Sequence, residues 1–83
     1  ETANQVGCEL KALAASRQVL CISHLAQVAA CADRHYTVEK EVLDGRTYSK
    51  ITLLDRKARL NELARMLGGG KAALAHAREL SGR

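Results

Sequence analysis

Three histidines and three cysteines are the residues of this 83-residue chain whose chemistry could go beyond packing. His24 has the best address. The run Val19-Leu20-Cys21-Ile22 is apolar and β-prone, stops at Ser23-His24, and gives way at once to a helix-like pattern. A histidine at the carboxyl end of a buried strand sits where open α/β sheets bind their ligands. Neutral imidazole donates or accepts a hydrogen bond, and its pKa lies near working pH. The chemistry expected of His24 is therefore contact with a phosphate or with an attacking water. The competing role is that of a capping or partly buried histidine at a helix start. Ser23 is expected to cap that helix, and Gln27, one turn on, to be a solvated helical position.

The remaining candidates are weaker. His35 and His76 have no nearby Cys or Asp that would make a triad or metal site recognisable, so both are assigned structural or surface roles. Cys8, Cys21 and Cys31 form an odd set without short paired spacing, whereas zinc sites show closely spaced ligand pairs. Cys21, inside the apolar run, reads as a small buried hydrophobe, and no neighbour is placed to activate it as a nucleophile. Unpaired thiols fit a reducing compartment. Glu39 and Glu41 share a strand face and are accounted for by salt-bridge pairing. Gly68-Gly69-Gly70 is followed by Lys71-Ala72 and lacks the Lys-Ser/Thr of a phosphate-binding loop, so it reads as a helix stop.

The elements that must position these residues follow from periodicity. Residues 2–15 carry Ala3, Val6, Leu10 and Leu13 at helical spacing. Gly7 costs such a helix roughly 1 kcal/mol relative to Ala, which suggests that another element approaches closely there. The apolar run at 18–22 suits a strand covered on both faces. Leu25, Val28, Ala29 and Ala32 repeat the helical spacing until Asp33-Arg34. Segments 35–42 and 47–54 flank Asp44-Gly45, a strong type I′ hairpin turn. In that register Tyr36 faces Leu53, Thr37 faces Thr52, Val38 faces Ile51 and Glu39 faces Lys50, the cross-strand arrangement that pairing favours. Asp55 is a plausible N-cap for a helix over 56–67, with Leu60, Leu63, Ala64 and Leu67 inward and Arg59, Glu62 and Arg65 outward. A last helix at 71–81 carries Ala73, Leu74, Ala77 and Leu80.

Composition bounds the rest. The chain has neither Phe, Trp nor Pro and only two Tyr, so its core is built from Leu, Val, Ile and Ala and is thin. At this size folding buries about 60% of the unfolded surface. The chain opens at Glu1, without Met, inside a helical pattern; it is read as a piece of a larger protein whose apolar faces are completed elsewhere. The net charge of +4 is mild. It is spread over solvent-facing positions, without a basic run or an aromatic platform for bases, so direct nucleic-acid recognition by this segment is not expected. No apolar run approaches the roughly 20 residues needed to span a bilayer.

Three stretches carry a family resemblance. Gln18-Val-Leu-Cys-Ile-Ser-His-Leu-Ala-Gln-Val-Ala-Ala at 18–30 resembles the switch-histidine region of ATP-binding-cassette ATPases. Leu60-Asn-Glu-Leu-Ala-Arg-Met-Leu-Gly-Gly at 60–69 and Ala75-His-Ala-Arg-Glu-Leu at 75–80 look like the end of the RecN family, bacterial DNA double-strand-break repair ATPases related to the structural-maintenance-of-chromosomes (SMC) proteins. The resemblance runs from the first helix to Leu80; the ending Leu80-Ser-Gly-Arg departs from the Leu-Leu common in the family.

The resemblance implies an α/β fold, the C-terminal portion of an ATPase head, in the order helix, strand, helix, hairpin, helix, helix. Residues 1–83 would form one part of a single head domain, with the strand at 18–22 joining a sheet whose other strands lie outside this chain. It implies ATP as cofactor, with Mg²⁺ bound by residues outside this chain, and His24 as the switch histidine on the γ-phosphate side. The implied partners are the N-terminal half of the same head, a second head in an ATP-dependent dimer, and DNA bound by the whole protein. The implied location is the bacterial cytoplasm, at the nucleoid. The phosphate-binding loop, signature motif and acidic pair lie upstream in the family, with Glu1 falling just after the loop that follows the catalytic glutamate, so this chain alone should not hydrolyse ATP. The alternative from another class is a non-catalytic α+β interaction module.

Overall fold

The computed structural model describes residues 2–82. The elements are α1 (Thr2–Ala14), α2 (Ala26–Ala29), β1 (Tyr36–Leu43), β2 (Arg46–Leu53), α3 (Arg56–Met66) and α4 (Gly70–Ser81). The core lies where α2 wedges against the α3–α4 pair. Ala26, Leu63, Ala64, Ala73, Ala77 and Leu80 are buried together, with Leu60, Leu67 and Leu74 partly buried around them. Leu63 is wholly enclosed, and alanines opposite it on α4 let the two helices approach. The inward positions expected for the last two helices are thus the observed ones.

Local chemistry explains the boundaries. Asp55 caps α3: its carboxylate accepts from the Ala58 backbone N–H at 2.8 Å, satisfying a donor the helix leaves open. At the other end the Gly69 N–H reaches the Ala64 carbonyl at 2.9 Å and the Gly68 N–H reaches Arg65 at 3.1 Å, the paired bonds of a Schellman stop. Gly68 makes this possible with φ +105. Between β1 and β2, Asp44 and Gly45 both have positive φ, as a type I′ turn requires. The register pairs Tyr36 with Leu53, Thr37 with Thr52, Val38 with Ile51 and Glu39 with Lys50, as expected. Glu39 and Lys50 are neighbours in register but make no ion pair; among the described residues the ion pairs are Lys11–Asp33 and Arg65–Glu62.

Gly7 is the buried residue of α1. A Cβ built there would stand 2.7 Å from Cys31 Sγ and 3.1 Å from the Gln27 carbonyl oxygen, so the close approach expected from a helical glycine is present. The face that packs is centred on Gly7. Val6 and Leu13, from the expected stripe, stay exposed.

Three expectations are corrected. Residues 18–22 form no strand: they have no regular structure, Leu20 is 90% exposed and Ile22 98%. A strand needs a neighbour to take its N–H and C=O groups, and the described sheet contains only β1 and β2, paired with each other. Cys21, expected to be buried, is consequently exposed. The helix expected to run from Leu25 to Ala32 is a single turn, Ala26–Ala29, continued by turn residues.

Candidate functional site

His24 lies between the bare run 18–22 and α2, and it is exposed. Its turn is shaped by Ser23, whose hydroxyl oxygen accepts from the Leu25 N–H at 3.0 Å. Ser23 therefore bridges across His24 and does not cap α2, whose N-cap position is Leu25 without a side-chain bond. This small loop presents an imidazole to solvent, able to donate or accept a hydrogen bond.

The turn is held in place from its C-terminal side. Arg59, expected to face away, instead donates from Nη2 to the carbonyls of Ala29 at 3.1 Å, Ala30 at 3.2 Å and Ala32. These carbonyls lie at the end of α2, where helix carbonyls lack intrahelical donors; that of Ala29 also accepts from the Ala32 N–H at 3.2 Å. A guanidinium suits them because its charge also complements a helix C-terminus. Helix periodicity could not reveal this role, since its partners lie 27 to 30 residues away. The His24 turn, α2 and α3 are thereby connected by one side chain and the Ala26–Leu63 packing.

The other titratable groups do not join His24. His35 sits at the base of the hairpin, where its carbonyl accepts from the Leu54 N–H at 2.9 Å. Its Nδ1 is buried without a partner, and burial, followed by the Arg59 charge, holds its pKa below the ordinary value, while Glu62 pulls the other way. Glu62 itself is held low by its hydrogen bond from Arg65. His76 is exposed on α4. Cys8 and Cys31 line the same small cavity between α1 and α2, with Asn4, Lys11 and Gln27. Among the described residues no group of three or more His, Cys, Asp or Glu could hold a metal ion, and no helix is long and apolar enough to cross a membrane.

No protein-family model matches the chain. Individual proteins do. It is 58% identical over 74 residues to the DNA repair protein RecN of Deinococcus radiodurans, a match covering 87% of this chain and 13% of that protein. Against RecN of Vibrio cholerae the identity is 44% over 82 residues, or 95% of this chain and 15% of that protein. Against RecN of Bacillus subtilis it is 44% over 66 residues, or 76% of this chain and 12% of that protein. The chain belongs to the RecN family. With that membership goes the fold class, the C-terminal portion of an SMC-like ATP-binding-cassette head. The chain spans only a small part of the RecN relatives it matches, 12–15% of the length of these three.

Proposed function

We propose that this RecN segment belongs to a DNA-repair ATPase and contributes His24 to the nucleotide site. The observation that carries the reading is the exposed His24 on its Ser23 turn, directly following an apolar run whose Leu20, Cys21 and Ile22 are exposed. We read this run as one that becomes a strand only beside a sheet outside this chain, and a histidine after a sheet strand is placed for ligand contact. The N-terminal half of the same head is the proposed neighbour, and an ATP-dependent pair of heads the proposed assembly, acting on DNA in the bacterial cytoplasm.

The residues fit ATP in a limited way. His24 supplies one hydrogen-bonding group, suited to the γ-phosphate side and to orienting a water. ATP, when bound, supplies the phosphoryl group. The described residues offer Mg²⁺ no group of three or more His, Cys, Asp or Glu, and the ion is assigned to residues outside this chain. Phosphoryl transfer depends chiefly on positioning and charge stabilisation, so loss of one such donor costs on the order of 10²–10³ in rate.

The test is steady-state ATPase activity of the full-length protein beside nucleotide affinity. His24→Ala should lower kcat on that scale while leaving ATP binding and thermal stability near normal. His76→Ala, on exposed α4 surface, should leave turnover unchanged. Near-normal turnover in His24→Ala would return the histidine to a turn-forming role and favour the non-catalytic α+β interaction module.

A further inference from the structure

Lys11 of α1, Arg56 and Arg59 of α3 and Arg78 of α4 line one open cleft of about 730 Å³, together with Asp33 and Asp55. Lys11, the Arg56–Arg59 turn and Arg78 are far apart in sequence and are brought together by the fold. Both carboxylates are already engaged: Asp33 lies 3.7 Å from Lys11 Nζ, and Asp55 caps α3. Arg59 is held by the α2 carbonyls. Arg56 and Arg78 are exposed and have no carboxylate partner among the described residues. The first turn of α3, Arg56-Lys57-Ala58-Arg59, adds three cations and no acid to the positive end of a helix dipole. The Asp55 carboxylate at the N-cap complements that dipole, and Arg56 and Arg59 beside it outnumber it in the cleft lining.

We infer that this cleft is a contact for the phosphodiester backbone of DNA, with Arg56 and Arg78 as its free cations. The inference rests on the DNA-repair reading above and adds where this segment touches the polyanion. A cleft of this size exceeds what one inorganic phosphate fills. Among the described residues its lining has no aromatic side chain on which a base could stack, so it reads charge and not sequence. It also revises the expectation that scattered cations leave this segment without a nucleic-acid surface.

The test uses the full-length protein and a fluorescently labelled DNA duplex, with affinity measured by anisotropy across a salt series. Arg56→Gln/Arg78→Gln should make the slope of log affinity against log salt shallower by about 2 and weaken binding on the order of tenfold to a hundredfold at 0.1 M salt. ATP hydrolysis without DNA should be unchanged, and Lys50→Gln on the hairpin should leave the slope alone. Wild-type affinity and slope in the double variant would overturn the contact. Displacement of DNA by poly-glutamate as effectively as by unlabelled duplex of equal charge would assign the cleft to acidic polypeptide and overturn it too. Failure of the wild-type protein to bind DNA at all would instead bring down the DNA-repair reading, and this contact with it.

Discussion

Gly7 and Cys31 occupy one volume: a methyl group on the first would stand 2.7 Å from the sulfur of the second. The helix tolerates its glycine because α2 needs the space. Gly7→Ala gains roughly 1 kcal/mol of helix propensity but forces a shift against Cys31 Sγ and the Gln27 carbonyl, and overpacking of this kind costs about 1–3 kcal/mol. The expected net effect is faster hydrogen exchange across α1 in the full-length protein. Cys31→Ala combined with Gly7→Ala should restore part of the protection. Slower exchange in the single variant would show that α1 and α2 are not pressed together.

Arg59 reaches carbonyls 27 to 30 residues away along the chain. Removing its guanidinium in Arg59→Met takes a donor from the Ala29, Ala30 and Ala32 carbonyls, of which Ala29 keeps the Ala32 N–H, a loss of about 1–3 kcal/mol. Arg59→Lys should not rescue fully, because one ammonium cannot reproduce the planar fork. Hydrogen exchange of the 24–32 segment checks both variants. Unchanged exchange in Arg59→Met would mean that these bonds do not hold α2.

His35 should be neutral at pH 7. Its imidazole is held below the ordinary histidine value of 6.5, first by burial and then by Arg59. For a group whose folded pKa is lowered, the unfolded chain binds the proton more readily. The stability it permits is therefore full above pH 6.5 and declines as pH falls from there toward the folded pKa. Imidazole C2–H exchange followed by mass spectrometry in the full-length protein should give His35 a pKa below 6.5. A value at or above 6.5 would contradict its burial beside Arg59.

Residues 18–22 should behave as an unpaired strand. Within this chain their amides have no ladder partner, so they should exchange freely in the 83-residue polypeptide and become protected in the full-length protein. Ala3, Val6 and Leu10 should lose exposure in the same comparison. Equal protection in both samples would defeat the idea that an outside sheet receives this run.

The sequence by itself determined the features whose partners are close along the chain. Asp44-Gly45 sets both the turn and the register of the hairpin, because a two-residue loop leaves one pairing that keeps Val38 opposite Ile51. Asp55 caps its own helix three residues on, and Gly68 ends it, through bonds that do not leave the local segment. The inward faces of α3 and α4 were legible because leucine and alanine recur at helical spacing on both. His24 was legible as the residue between the apolar run and the next helix, and its exposure was not, since that depends on whether residues 18–22 have neighbours. Tertiary structure alone decided what long-range geometry controls. Arg59 turns inward because the carbonyl end of α2 falls beside it. Lys11, Arg56 and Arg78 share a cleft because three helices converge. Leu20 and Ile22 of the run at 18–22 stay exposed because a strand's hydrogen bonds must come from another strand, and the fold brings neither edge of the β1–β2 hairpin beside it.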